Sequence, residues 1–158
     1  MISRATMKTI KISSDNLELL DEASFLFNEY RKFYNQKSDI KKSTSFLRDR
    51  INNNESEIFL CFDEQNQAIG FMQLYKSFSS VGLRKIYILN DLYVDEKHRG
   101  KGVGRFLIDE ANKFAAKNQI TKITLTTAKT NKVAQNLYET EGYVRDNEYF
   151  VYNLEIKI

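Results

Sequence analysis

Three of the six glycines in this chain stand within five positions, at 100, 102 and 104, and there is no proline. In a sequence so poor in backbone breakers, the conformational freedom that glycine supplies is concentrated in one place. The cluster follows an apolar run, Ile88–Val94, with the polar pair Asn90 and Asp91 set inside it. After it, Val103, Phe106, Leu107, Ala111, Phe114 and Ala115 recur at the three-and-four spacing of one helix face. The order is strand, glycine-rich loop over Asp95–Gly104, helix. The loop is also basic, carrying Lys97, His98, Arg99 and Lys101, with Arg105 just beyond.

That order has a physical use. The first turn of a helix has N–H groups without partners inside the helix, and the macrodipole adds partial positive charge there. Glycines allow close approach and positive φ, so the whole is a cradle for an anion, usually a phosphate. The dinucleotide fingerprint does not fit. Its glycine spacing is wider, and the residue 20 positions past Gly104 is Thr124, not an acid. No run matches the P-loop pattern. What fits is Arg99-Gly100-Lys101-Gly102-Val103-Gly104, which resembles the R/Q-x-x-G-x-G/A pyrophosphate loop of the GNAT N-acetyltransferase superfamily. The resemblance implies acetyl-coenzyme A (acetyl-CoA) as cosubstrate, with Arg99, Gly100, Lys101, Gly102, Val103, Gly104 and Arg105 around its phosphates.

A second stretch resembles the same family. Asn131, Ala134, Leu137, Tyr138, Gly142 and Tyr143 meet its N-x-x-A-x-x-[LF]-Y-x-x-x-G-[FY] pattern at every defined position. Tyr138 follows Asn131 by seven residues, two helical turns, so both lie on one face along which an extended ligand can run. The resemblance implies that Asn131 holds a pantetheine amide and that Tyr138 sits by the thioester sulfur. It also implies main-chain contacts to the pantetheine arm from Leu92, Tyr93 and Val94. Asn131 reads equally as a helix N-cap and Tyr138 as a core aromatic with a wet hydroxyl. A phenol near pKa 10 is about 1.5 units too weak an acid to protonate a thiolate near 8.5 fully. The role the resemblance implies for Tyr138 is therefore to stabilise the departing thiolate by hydrogen bonding more than by complete proton transfer. The resemblance covers Lys85–Asn153 well and the first 55 residues only by element order.

Along the rest of the chain, strands are predicted at Lys8–Ile12, Ile58–Phe62, Ile69–Tyr75, Lys122–Thr127, Tyr143–Val144 and Tyr149–Ile156. A helix is predicted from a cap at Ser13–Asp15, with Glu18 completing a box with Asp15, to about Tyr34. Others are predicted at Ser43–Asn53 and Thr130–Glu141, with loops at Asn35–Asp39 and Ser77–Gly82. Hairpins and helical crossovers together imply a mixed sheet in an α/β fold. The order matches the GNAT fold: a mixed sheet of about seven strands, the fourth and fifth splayed apart to admit the cofactor.

At 158 residues and 18.5 kDa, residues 1–158 read as a single GNAT domain. A net charge of +3 is too small to argue for nucleic acid or a membrane surface. No run is long enough for a membrane span, the start is polar rather than a signal peptide, and one cysteine excludes an internal disulfide. The expected location is cytoplasmic, with Met7 an alternative start to Met1. The alternating C-terminal strand is compatible with a homodimer and equally with a sheet edge.

The implied activity is transfer of the acetyl group to a primary amine by direct attack in a ternary complex. The acceptor is a polyamine, an aminoglycoside, an amino acid or a protein amine, and the sequence does not choose. A lysine-like amine is mostly protonated at neutral pH, so some group must accept its proton. Asp91 is the first candidate, because a carboxylate inside an apolar run is costly unless it is paired or lines a cavity. A structural salt bridge is the alternative for Asp91, and Glu29 is a second candidate base. Tyr30, Tyr34, Tyr75 and Asn90 are candidates for the acceptor side, since aromatic walls suit cationic amines. Cys61 reads as a buried small hydrophobe and His98 as a loop residue; with one of each, no metal site is expected. The alternative function is a coenzyme A-binding regulatory module without turnover.

Overall fold

The computed structural model describes residues 3–158; Met1, weighed above as the start, lies outside the described residues. The chain divides into two compact units, Met1–Thr126 and Thr127–Ile158. The first holds a sheet in the order β1 (Lys8–Ile12), β2 (Ser56–Phe62), β3 (Ala68–Ser79), β4 (Arg84–Val94), β5 (Ile123–Thr124). Neighbours among the first four pair antiparallel and β5 runs parallel to β4, so the sheet is mixed as expected.

Two helices, α1 (Leu20–Phe33) and α2 (Ile40–Asn52), pack on one face. Ile12, Ile58, Leu60, Phe62, Phe71 and Tyr93 meet Leu20, Ala23, Leu26 and Phe27 of α1 and Leu47 of α2 there. The three-and-four recurrence on α1 is what gives it this apolar stripe. Its ends suit the macrodipole, with Asp21 and Glu22 in the first turn and Arg31 and Lys32 in the last. The other face carries α3 (Val103–Lys117). Phe114 packs its ring against Phe59 at 5.1 Å and Tyr87 at 6.1 Å, and Gly70 lies directly beneath Val103 and Leu107.

Several boundaries differ from the sequence reading. The cap before α1 is Ser13 with Asn16, not Asp15 with Glu18, and it opens a 3₁₀ stretch, Ser14–Leu19, that leads into α1. Helix α2 begins at Ile40 because Asp39 caps it, accepting from the Lys42 N–H at 3.0 Å. The β3–β4 hairpin consumes most of the expected 77–82 loop, pairing as far as Ser79 with Arg84. The second unit holds α4 (Lys132–Thr140), ended by Gly142 at φ 89°. The strands expected at Tyr143–Val144 and Tyr149–Ile156 do not form: residues 143–158 carry no strand. The described residues therefore show five strands, not about seven. A period-two pattern states which faces a segment could bury; it does not supply the neighbouring chain whose hydrogen bonds make a strand.

Among the described residues, no helix is long and apolar enough to cross a membrane. The α3 face yields a prediction. A Cβ on Gly70 would stand 2.9 Å from Leu107 Cδ1 and 3.1 Å from Val103 Cγ1, both of them buried, so these side chains must shift to admit it. Gly70→Val is expected to cost about 1–3 kcal/mol, read as a fall in the denaturant midpoint.

Candidate active site

The pairing of β4 with β5 is brief. It spans Tyr87↔Ile123 and Ile88↔Thr124 and goes no further, whereas β4 continues to Val94 along β3. From Leu89 onward β4 thus has one edge that β5 does not cover, which is the expected splay. Two carbonyls mark that edge. Asn90 O accepts from the Tyr30 hydroxyl at 3.1 Å, and Val94 O accepts from Arg99 Nε at 3.0 Å. By the two-residue period, Leu92 turns its N–H and C=O the same way. Tyr93 is out of phase and buries its ring with α1.

Beyond Val94 the chain makes a short 3₁₀ turn, Glu96–His98, capped by Asp95, whose carboxylate also lies 2.8 Å from His98 Nδ1. Gly100 at φ 72° and Gly102 at φ 87° then bend the backbone into α3. Nothing lies within 4 Å of a Cβ built on either, so it is the left-handed backbone that requires glycine, and the space above stays open. The first helical hydrogen bond runs from Phe106 N to Gly102 O. The N–H groups of Val103, Gly104 and Arg105 lie ahead of that ladder, where a 15-residue helix presents its positive end. Lys101 is half-buried and Arg105 exposed at this end. Arg99 instead folds back over the strand, its guanidinium 5.6 Å from the Phe33 ring and 5.4 Å from the Tyr93 ring. This open cradle fits a diphosphate.

The register of β4 has one irregularity. Leu74 faces Leu89 and Gln73 faces Asp91, leaving Asn90 unopposed. This bulge reverses which residues face which side. Tyr87 and Leu89 look toward α3, while Asp91 and Tyr93 look toward α1 and α2. Asp91 is 2% exposed, and the Gln73, Asn90 and Tyr30 groups that hydrogen-bond to it are neutral. Gln73 Nε2 donates to its Oδ2, Asn90 Nδ2 to its Oδ1 at 3.0 Å, and Tyr30 shares its hydroxyl proton between this carboxylate and the Asn90 carbonyl. Burial pushes the Asp91 carboxyl above its ordinary value, and these hydrogen bonds only partly offset it. The salt-bridge alternative for Asp91 finds no support, since none of these partners is a cation. Glu29, by contrast, is held by Lys32 at 2.9 Å.

Tyr75 joins this group. Its hydroxyl accepts from Gln73 Nε2 at 3.4 Å, and burial, with Asp91 nearby, pushes the phenol up to about 12. Tyr34 stacks edge-on against Tyr30 at 5.0 Å and extends an aromatic surface with Phe33. Asn28 fixes the loop that follows, accepting from the Asp39 N–H at 2.8 Å and donating to Ser38 Oγ at 3.0 Å. The structure therefore brings together Asp91, Asn90, Tyr30, Tyr34 and Tyr75, which the sequence offered separately. The residue missed is Gln73, 0% exposed, at the centre of the group. Its signal was visible: one amide inside the apolar run IGFMQLY. Cys61 is buried as expected, its thiol pushed up to about 12 mainly by burial.

In the second unit, Asn131 caps α4, its Oδ1 accepting from the Ala134 N–H at 3.1 Å. Tyr138 stands two turns along, its ring 5.9 Å from that of Tyr143.

Comparison with known proteins gives the family. The acetyltransferase (GNAT) family profile matches residues 23–143. The chain is 44% identical over 131 residues, 83% of its length and 87% of the relative's, to YhfO, an uncharacterized N-acetyltransferase of Bacillus subtilis (strain 168). It superposes on the crystal structure of a probable acetyltransferase with a TM-score of 0.87 at 37% identity, covering 96% of this chain and 99% of that one. A predicted acetyltransferase from Clostridium acetobutylicum, crystallised with acetyl-CoA, shares the fold with a TM-score of 0.68 at 18% identity over 93% of this chain and 96% of that one. An open strand edge feeding a glycine-bent helix start is thus found here in a chain that belongs to the acetyltransferase (GNAT) family, and the protein is an acyltransferase.

Proposed function

We propose that the protein transfers the acetyl group of acetyl-CoA to a primary amine, with attack occurring directly in a ternary complex. The observation that carries this reading is the edge of β4 left open beyond Ile88, running straight into the glycine-bent start of α3. The family match runs from 23 to 143, across the boundary between the two units, which supports reading 1–158 as one catalytic domain.

When bound, the cosubstrate supplies an activated thioester. The main-chain N–H groups around Gly100–Arg105 hold its diphosphate, with charge from Lys101 and Arg105. Leu92 offers main-chain groups at the open edge, as an added strand would use them. Tyr93 and Val94 flank it there. By motif, Asn131 holds a pantetheine amide and Tyr138 hydrogen-bonds the departing thiolate. Asp91 accepts the amine proton, directly or through one water. A carboxyl raised by burial is a stronger base than a surface one, nearer what neutral-pH catalysis needs. Tyr30, Tyr34, Tyr75 and Asn90 line the side from which the amine comes, and their aromatic rings favour a cationic amine over an anionic one.

The deciding experiment is free-thiol release from acetyl-CoA against a panel of polyamines, aminoglycosides, amino acids and peptides. Turnover on at least one is expected; coenzyme binding with no turnover on any supports the regulatory-module alternative. Gly102→Val should weaken acetyl-CoA binding at least tenfold by calorimetry, because a β-branched residue resists φ 87°. Tyr138→Phe should lower kcat at least tenfold with little change in cofactor affinity; unchanged kcat would remove Tyr138 from the reaction.

Asp91→Asn should have opposite effects on activity and stability. It is expected to lower kcat at least a hundredfold. Because the folded state raises the Asp91 pKa, the native protein holds its proton more tightly than the unfolded chain does. Wild-type stability is therefore lost as pH rises from the ordinary aspartate range through the raised value. Asp91→Asn should melt higher than wild type at neutral pH, and the gap should close on acidification.

A further inference from the structure

The centre of the Asp91 group is an amide with one end unused. Gln73 is 0% exposed on β3, and its Nε2 donates to both Asp91 Oδ2 and the Tyr75 hydroxyl. Its Oε1 is buried with no hydrogen-bond partner. Buried acceptors are rarely left alone, and one beside a candidate proton acceptor calls for a reason. Chemistry offers one. While Asp91 is ionised, Gln73 must present N–H to it. Once Asp91 gains a proton, that carboxyl becomes a donor, and an N–H facing it no longer serves.

Rotating the amide by half a turn resolves this. Oε1 then occupies the place of Nε2. It has two lone pairs, enough to accept both from the new Asp91 O–H and from the Tyr75 O–H. In either orientation one end of the amide is left unsatisfied, so that count favours neither state. A carboxyl only 2% exposed needs such a partner if it is to take up and release a proton repeatedly with little help from bulk solvent.

We propose that Gln73 is the positioning residue for proton transfer, holding the Asp91 carboxyl in both of its protonation states by turning its amide end for end. The inference rests on the reading of Asp91 as proton acceptor. In the step it serves, an N–H bond of the bound ammonium breaks, its electron pair stays on the nitrogen that then attacks, and an O–H bond forms on Asp91, with no other reactant. The groups facing Asp91 are Tyr30 from α1, Gln73 and Tyr75 from β3 and Asn90 on its own strand. Arg50 of α2 acts on Tyr75 and is itself tied to Glu55.

The test is nuclear magnetic resonance on the full chain without substrate, labelled with 13Cγ-aspartate and 15N-glutamine. The Gln73 side-chain amide signals should move with pH at the same midpoint as the Asp91 carboxyl carbon. Gln73→Met, which removes the donor to the ionised form, should raise that midpoint by about one pH unit. The acid limb of kcat/KM should move up with it. Gln73 signals that stay constant through the Asp91 midpoint overturn the proposal on the wild-type protein alone, whether or not the variant folds. So does an unmoved Asp91 midpoint in a folded Gln73→Met protein. Full kcat in Asp91→Asn would instead sink the reading of Asp91 as acceptor, a separate outcome.

Discussion

The unopposed residue in β4, Asn90, decides how the end of that strand is used. Upstream of it, Tyr87 and Leu89 pack toward α3, and Tyr87 gives its N–H to Lys122 beside β5. Without the insertion, Asp91 would follow them toward the dry wall formed by Val103 and Leu107, where nothing polar could meet it. The bulge turns the strand over instead. Asp91 swings to the α1 side, among two amides and two phenols, and the main-chain groups of Asn90, Leu92 and Val94 come round to the open edge. A single break in the ladder, worth about one hydrogen bond, sets both features at once.

The parts of the molecule legible in advance were those encoded by local chemistry. The glycine loop was readable because φ 72° and 87° leave few other residues available. The faces of α1 and α3 were readable from their apolar periodicity, and the end of the β4–β5 pairing was implied by the motif resemblance. What was not legible depends on how one strand meets another. Nothing in the run ILNDLYV marks Asn90 as the residue without a partner, since register is a property of two chains. The same limit explains the C-terminal misreading, where YFVYNLEI alternates convincingly yet forms no strand. It also explains why Gln73 was passed over. Inside an apolar strand it looks like an isolated exception, until pairing sets it opposite Asp91.

The Asp91 group is poorly designed as a stabilising device. A buried carboxyl among neutral partners, beside an acceptor atom that nothing satisfies, lowers the stability of the fold. Hydrophobic replacement would suit the core better. Asp91 sits on the same face of the sheet as the buried apolar side chains of Ile58 and Phe71, so the proposed role in proton transfer, not packing, is what would account for it.

Arg99 has a consequence of its own. Its guanidinium lies near both the Phe33 and Tyr93 rings while its Nε grips the Val94 carbonyl, so the residue just before the glycine cluster is moored to the last turn of α1. Position 33 therefore answers to two masters. Shrinking that one ring would remove packing from the end of α1 and, through Arg99, slacken the start of the glycine cluster. A change made at position 33 for the sake of the helix is therefore felt, five residues past the end of β4, where the backbone bends into α3.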